Sequence, residues 1–358
     1  MVSSIKKQLY GLAILLLGLC ISFALPAEMN PDFTAYHRIF NNYGADFQTW
    51  DGFAFGLLTG TVRLWTNSYQ VYKLCLASLF AIVLMIATAR VWLQPSNAQP
   101  YLLTLLLSAA KQPIVVQVAL VLFATVLSLS LLAWFELNAA ITLRSGLSGL
   151  FALLLVITLN RNWRFANERG NVLESLEPWL LLWISLLFHK ASLFITGPYL
   201  YCCWRLQGQR FRSMAVLNCL LVIAASIMLF TWGNAVTRSD YHSALHPLRL
   251  LLYLAGSTAG LLLLADSIPS TTKTLEPQLL AVWFACSVLA VYGMLYLLTW
   301  PFQSVVQSSG EAMARLTQWL CFLVMPALLS ASKTQSLPAS LIIISINALV
   351  FKALFLQG

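Results

Sequence analysis

Residues 119–135 read ALVLFATVLSLSLLAWF, a run without a single charged side chain. A helix needs about 20 mainly apolar residues to cross the hydrocarbon core of a bilayer, and this run comes close to that length. The segment at 11–25, GLAILLLGLCISFAL, has the same character. Such runs are typical of membrane-spanning helices.

The whole chain shares this apolar composition. Of its 358 residues, 59% are hydrophobic and 9% are charged, and the mean hydropathy is +0.79. Soluble domains usually carry about 25% charged residues, so the composition excludes that class. We predict an all-α, polytopic integral membrane protein, with residues 1–358 forming one membrane domain.

Apolar runs and the polar residues between them predict about eleven membrane crossings. The predicted crossings are 8–26, 68–89, 113–134, 143–160, 174–188, 190–204, 213–231, 247–265, 278–299, 314–331 and 338–356. The fifth and sixth are short, which favours tilted or incomplete crossings. The first run also resembles a cleavable signal peptide, but we expect a retained helix.

Lysine and arginine predict the orientation, because short loops rich in these residues stay in the cytoplasm. With a cytoplasmic N-terminus, the basic clusters RNWRFANER (161–169) and RLQGQRFR (205–212) fall on the inner side. Nine other basic residues fall at the outer face, where this rule does not require them: Arg38, Arg63, Lys73, Arg144, Lys190, Arg238, Arg249, Arg315 and Lys352. The outer face therefore favours an anionic partner.

The segment at about 27–67 is too polar at its start to cross a membrane. We predict that it lies at the membrane interface, with a short helix around Phe53–Leu64. Asp32 and Tyr36 are spaced to point the same way from a helix, which makes them candidate site residues. A solvated loop with a helix-capping residue is the alternative interpretation.

His189 and Lys190 interrupt the stretch LLFHKASLFITGP (186–198), where one predicted crossing ends and the next begins. Histidine titrates near neutral pH and exchanges protons, so His189 is a candidate catalytic residue. A turn between two helices would also account for the pair. Arg144 opens an apolar run among small residues, which favours close helix packing around a buried arginine. Snorkelling of Arg144 to the lipid headgroups is the alternative.

Further outer-face arginines come from later in the chain. Arg238 and Arg249 belong to the stretch NAVTRSDYHSALHPLRL (234–250), and Arg315 begins the tenth predicted crossing. Guanidinium groups form paired, charge-assisted hydrogen bonds with phosphate oxygens. Several arginines converging on the outer rim of a helix bundle therefore predict a binding site for a phosphate-bearing lipid headgroup.

Metal and cofactor sites are not indicated. Asp240, His242 and His246 have a spacing that could hold a metal ion, but no cysteine or second carboxylate pattern supports it. The seven cysteines form no CxxC pair, so neither a zinc site nor a disulfide framework is predicted. No nucleotide-binding fingerprint occurs. We expect no metal, no cofactor and no nucleic-acid partner.

Three stretches resemble a known family: PDFTAYHRIF (31–40), ITLRSGLSGLFALLL (141–155) and LLFHKASLFITGPYLY (186–201). A weaker match is ARLTQWLCFLVMPALL (314–329). They are similar to segments of the EpsG-like and Wzy-type polysaccharide polymerases, which make O-antigen, capsule or exopolysaccharide.

The resemblance implies a glycosyltransferase with a GT-C-like helix bundle in the bacterial inner membrane, with its active site facing the periplasm. Donor and acceptor would be oligosaccharides on undecaprenyl pyrophosphate, with membrane lipids and a chain-length regulator as further partners. His189 or Asp32 would act as the base. The residues that would bind pyrophosphate, without a metal ion, are Arg144, Arg238, Arg249, Arg315, Lys190 and Tyr36.

Two other functions remain open on the sequence. An O-antigen ligase acts on the same lipid carrier, but it usually has a larger late periplasmic loop than those at 232–246 and 301–313. A lipid-linked oligosaccharide flippase or other transporter would place ionisable groups at mid-membrane among repeats, whereas here they gather at one face. The polymerase is therefore our expectation.

Overall fold

Helix is the regular structure throughout the part of the chain that the computed structural model describes. This part comprises residues 33–45, 52–92, 113–118, 142–169 and 175–207, and isolated positions at 122, 125, 134–135, 138, 220–221, 223–224, 227, 287–288, 291, 294–295, 298 and 322. No strand occurs among these residues. The all-α prediction is confirmed for them.

Six α-helices have defined bounds within the described ranges. They are α1 (Phe33–Asn41), α2 (Phe53–Trp65), α3 (Tyr69–Trp92), α4 (Leu143–Arg169), α5 (Leu176–Phe188) and α6 (Leu193–Gln207). A 3-10 turn at Lys190–Ser192 separates α5 from α6. The sixth predicted crossing, 190–204, corresponds to this turn and most of α6.

Two of the described helices are long and apolar enough to cross a membrane. The qualifying segments are Tyr69–Arg90 in α3 and Leu143–Asn160 in α4, and they match the predicted crossings 68–89 and 143–160. Helix α5 is apolar but has only 13 residues, which gives a length of about 20 Å. The predicted fifth crossing is thus confirmed as a helix and as a short one.

The other predicted crossings are described in part or not at all. The crossing at 113–134 is helical at 114–118. Those at 213–231, 278–299 and 314–331 contain isolated described positions, and those at 8–26, 247–265 and 338–356 lie outside the described residues.

The segment predicted to lie at the interface contains α1 and α2. The predicted helix around Phe53–Leu64 is confirmed as α2. On one side of α2, Leu57, Leu64 and Trp65 are exposed. This is the pattern expected of apolar anchors at a membrane surface.

Three polar contacts join the end of α3, the later part of α4 and the start of α5. Near the end of α3, the Arg90 Nη1 donates to Thr158 Oγ1 of α4 at 2.9 Å and lies 2.5 Å from the Glu177 carboxylate at the start of α5. Asn162 of α4 donates to Ser175, just before α5, at 3.2 Å. At the other end, Ser148 of α4 bonds to Ser185 of α5, so α5 runs antiparallel to α4. Helix α1 contacts the starts of both α3, through Phe40 and Tyr72, and α4, through Tyr36 and Arg144, so α3 and α4 run parallel.

The chain divides into two compact units. The first comprises Met1–Pro100 and Leu132–Thr196 and contains α1 to α5, and the second comprises Tyr101–Leu131 and Gly197–Gly358. Helix α4 lies at the centre of the first unit, because side chains all around it are buried, among them Leu147, Leu150, Leu153, Leu155 and Leu159. A helix that is apolar on every side is normally enclosed by other helices.

Candidate functional site

Helix α1 presents one buried face and one exposed face. Tyr36, Ile39 and Phe40 are buried, at the i, i+3, i+4 spacing of a single helix stripe. The helix ends in a Schellman motif, in which the Gly44 N–H donates to the Ile39 carbonyl and the Tyr43 N–H to the Phe40 carbonyl. Tyr43 has a positive φ of 53°, as this motif requires of the residue at that position, and Gly44 follows with a φ of 73°.

Close backbone contact holds the end of α1 against α2. A Cβ atom on Gly44 would overlap the backbone of Gly56, and a Cβ on Gly60 would lie 2.8 Å from the Tyr43 carbonyl oxygen. Glycine is therefore needed on both sides of this contact. The packing fixes the direction in which α1 leaves α2.

An aromatic cluster joins α1 to α2 and α3. The Phe40 ring stacks on Tyr72 of α3 with centroids 4.8 Å apart, and the Tyr36 ring meets Phe55 of α2 edge-on at 5.7 Å. The Thr59 hydroxyl donates to the Phe55 carbonyl at 2.8 Å. Because this donation uses the only hydroxyl proton of Thr59, the Tyr72 hydroxyl, 2.8 Å away, is the donor in their mutual bond.

Arg63 of α2 is held by this cluster. Its guanidinium carbon lies 5.0 Å from the centroid of Phe40 and 5.1 Å from that of Tyr43, within the range of a cation–π interaction. Its Nη1 also donates to the Thr66 carbonyl and to the Asn67 side chain. These contacts give Arg63, one of the nine cations predicted at the outer face, a packing role in the described part of the chain.

The Tyr36 hydroxyl reaches the first turn of α4. The backbone N–H of Arg144 donates to the Tyr36 Oη at 3.4 Å, across 108 positions of sequence. The first N–H groups of any helix lack partners inside the helix. Tyr36 therefore caps α4, and it places α1 beside Arg144.

Two serines join the same end of α4 to the end of α5. The Ser148 hydroxyl donates to the Ser185 carbonyl at 2.7 Å and lies 3.1 Å from the His189 carbonyl. The Ser185 hydroxyl donates back to the Ser148 carbonyl at 2.9 Å. His189 ends α5 with an extended backbone, one helical turn of α4 away from Arg144.

Small residues permit this close approach, as the sequence indicated. Gly146 and Ser148 are buried, and a Cβ atom on Gly146 would overlap the carbonyl of Asn138. The prediction of close packing at the start of α4 is confirmed. Arg144 itself is half-buried.

Of the eight predicted site residues, the structure describes four. Tyr36 and Arg144 are brought into contact, Ser148 links His189 to the same region, and Lys190 follows His189 in the 3-10 turn. The other four lie outside the described residues: Asp32, Arg238, Arg249 and Arg315. The same holds for the metal-binding candidates considered above, Asp240, His242 and His246.

Two features near this region were not anticipated from the sequence. Lys73 of α3 is only 2% exposed, and Ser148 and Ser185 form reciprocal hydrogen bonds. The sequence predicts Lys73 at the outer face with eight other cations. Its position inside an apolar run is the sequence signal that could have indicated its burial. No local signal pairs Ser148 with Ser185, because they are 37 positions apart.

Within the described ranges, no three histidine, cysteine, aspartate or glutamate side chains cluster as metal ligands would. Comparison with protein-family models, with curated proteins and with solved structures finds no match to this chain.

Proposed function

We propose that this chain is a polysaccharide polymerase of the EpsG-like or Wzy type, a glycosyltransferase embedded in the bacterial inner membrane. It crosses the membrane about eleven times from a cytoplasmic N-terminus, and its site opens to the periplasm. It joins oligosaccharide repeat units that are carried on undecaprenyl pyrophosphate.

The observation that carries this proposal is the meeting of three distant chain segments at one end of the α4–α5 pair. The Tyr36 hydroxyl contacts the backbone of Arg144 at 3.4 Å, and Ser148, one turn along α4, contacts the carbonyl of His189 at 3.1 Å. A cation, a helix N-terminus and an imidazole in one region suit a reaction with an anionic leaving group and a hydroxyl nucleophile.

Charge stabilisation is the task of the basic residues. The pyrophosphate gains negative charge as its bond to the sugar breaks. Arg144 stands in the first turn of α4, where the helix dipole stabilises an anion by about 0.3–1 kcal/mol, and its guanidinium suits bidentate binding of phosphate oxygens. Lys190 supplies a cation beside His189, and the same anion is the proposed partner of Arg238, Arg249 and Arg315.

Proton removal from the acceptor hydroxyl is the second task. His189 is one candidate base, because an imidazole accepts a proton near neutral pH, and Asp32, which directly precedes α1, is the other. The base takes the hydroxyl proton, and the oxygen attacks the anomeric carbon from the face opposite the pyrophosphate. The bond from that carbon to the pyrophosphate breaks, so the anomeric centre inverts.

The distribution of charge along the described helices favours an enzyme over a transporter. Arg144 and His189 lie at one end of the α4–α5 pair, and the Arg90–Glu177 ion pair lies at the other. The long run of α4 between these ends has no charged residue from Ser145 to Asn160. Transporters tend to place ionisable groups at that depth.

Glycan analysis of a strain that lacks the protein tests the proposal. We expect surface glycan with a single repeat unit, because transfer to the surface continues while polymerisation stops. Polymer that accumulates on the lipid carrier would identify a ligase, and repeat units trapped on the cytoplasmic leaflet would identify a flippase. Normal polymer ladders would contradict all three functions.

A substitution at Arg144 tests the role of this residue in the reaction without removing the protein from the membrane. Arg144→Ala should abolish long glycan chains while the protein remains inserted, since the loss of a transition-state charge contact costs about 10²–10³ in rate. Arg38→Ala, an exposed cation on α1, is the matched control and should polymerise normally. Normal ladders in the Arg144→Ala strain would remove Arg144 from the site.

A further inference from the structure

Among the residues that the structure describes, Lys73 is a buried charged side chain that the proposed mechanism does not use. It lies in the second turn of α3 and is 2% exposed. It shares one stripe of the helix with Tyr69, Leu76 and Phe80, all of them buried. Lys73 therefore points into the packed side of α3 and not toward the exposed side, where Val71 and Ile82 lie.

The ammonium group of Lys73 has no counterion in the described part of the chain. No hydrogen bond or ion pair reaches it there, and the neighbouring Tyr72 hydroxyl is used by Thr59. An uncompensated buried charge costs several kcal/mol. A lysine kept at such a place in an apolar helix is by default a functional residue.

Lys73 and Arg144 lie at similar heights on two parallel helices. The Arg90–Thr158 hydrogen bond provides a common reference level for α3 and α4. At 1.5 Å of rise per residue, Lys73 lies about 25 Å and Arg144 about 21 Å along their helices from that level. The cluster of Phe40, Tyr72 and Tyr36 also connects α3 to the first turn of α4.

We propose that Lys73 is a buried anion-binding residue, which contributes a second cation to the diphosphate site at the start of α4. The ligand class is a diphosphate, either free or as a lipid headgroup. The assignment rests on the proposed function in one respect, the identification of Arg144 as a phosphate-binding residue. A bound diphosphate would act as the counterion of Lys73, which has none among the described residues.

The alternative is that Lys73 only packs. Its methylene stem can fill apolar space while the amine reaches toward the outer end of the helix. In that case, removal of the charge leaves anion binding unchanged. Binding therefore distinguishes the two roles, whereas stability does not.

The test uses the purified full-length protein in lipid nanodiscs, with inorganic pyrophosphate as the probe in calorimetric titrations. Lys73→Met should weaken binding at least about tenfold, since it removes a buried charge contact. Lys73→Arg should stay within about threefold of wild type, because it keeps the charge. Arg38→Met removes an exposed cation from α1 and is the matched control, with binding unchanged.

A second variant controls for the case in which Lys73→Met does not fold. Lys73→Gln keeps a polar end without the charge, and it should lose the rise in melting temperature that pyrophosphate gives the wild-type protein. Nanodiscs with and without a polyprenyl diphosphate separate a lipid ligand from a free one. Binding by Lys73→Met at wild-type affinity, or no pyrophosphate binding by the wild-type protein, would overturn the proposal.

The outcomes also separate this inference from the polymerase. If pyrophosphate binding depends on Lys73 while the deletion strain still makes normal ladders, the anion site stands and the polymerase assignment fails. If polymerisation stops in the deletion strain but Lys73→Met binds normally, the polymerase stands and Lys73 is a packing residue.

Discussion

Tyr36 illustrates how one hydroxyl can organise a region of an apolar protein. Its ring packs against Phe55, and its oxygen accepts the backbone N–H of Arg144. An N–H at the start of a buried helix costs free energy when it has no partner. The tyrosine therefore stabilises α4, and it fixes α1 next to a residue that we assign to the pyrophosphate.

Tyr36→Phe should destabilise the protein by about 1 kcal/mol, the usual net contribution of one hydrogen bond. Thermal unfolding in detergent measures the loss, and glycan chains should shorten because Arg144 is less firmly held. Tyr43→Phe is the matched control, since Tyr43 makes its contacts through the ring and the backbone and is 52% exposed. Equal effects of the two changes would contradict the capping role.

His189 offers a second prediction at the scale of one residue. His189→Gln keeps a polar side chain of similar size but removes the group that exchanges protons near neutral pH. Turnover should fall by about 10²–10⁴ if His189 is the general base, while the KM for the lipid-linked donor changes little. Unchanged kcat in a reconstituted polymerisation assay would leave Asp32 as the candidate base.

At the scale of helices, two serines hold α4 and α5 together, and they differ in the groups that they contact. Both hydroxyls donate to a backbone carbonyl of the other helix, and only Ser148 also approaches the His189 carbonyl. Alanine keeps every backbone carbonyl. The removal of one hydroxyl therefore leaves the bond made by the other intact.

Ser148→Ala and Ser185→Ala should each cost about 1 kcal/mol. Their effects on activity should differ, because Ser148→Ala also releases the segment that carries His189. We expect a larger loss of polymerisation for Ser148→Ala at equal stability. Thr61→Ala removes an exposed hydroxyl bond within α2 and controls for a nonspecific effect, and equal losses from both serines would point to packing alone.

The sequence predicts these helices well where apolar residues recur without interruption. The runs that begin near Tyr69 and Leu143 contain few charges, so the starts of their helices were predicted within one residue, whereas α4 continues past its predicted end at 160 to Arg169. The turn between α1 and α2 was not predicted, because it packs Tyr43 against Gly60 and Arg63 of the next helix. Such contacts are tertiary, and local periodicity does not encode them.

For the whole molecule, the sequence indicates which residues could share a site but not which of them meet. The positive-inside rule predicts which cations lie at the outer face. It could not tell that Arg63 stacks between two rings, that Lys73 is buried, or that Tyr36 reaches Arg144 across 108 positions. A helical pattern predicts on which face of its helix a residue lies, but the residue that it contacts depends on how the helices pack.

The arrangement of the whole chain in the membrane is testable from two described positions. Tyr43 lies at the end of α1, near the proposed periplasmic site, and Ser175 lies before α5, near the Arg90–Glu177 ion pair. Both are exposed. In a variant that lacks the seven native cysteines, Tyr43→Cys should react with a membrane-impermeant maleimide in intact spheroplasts, and Ser175→Cys should react only after permeabilisation.

The physical reason is the length of α3 and α4 between these positions. A 22-residue apolar segment such as Tyr69–Arg90 spans about 33 Å, enough to separate its ends by the full hydrocarbon core. Reaction of both cysteines from the same side would mean that α3 and α4 are packed core helices that do not cross the bilayer, and the periplasmic site would then be wrong. Reaction of Ser175→Cys alone from outside would reverse the orientation while leaving the crossings in place.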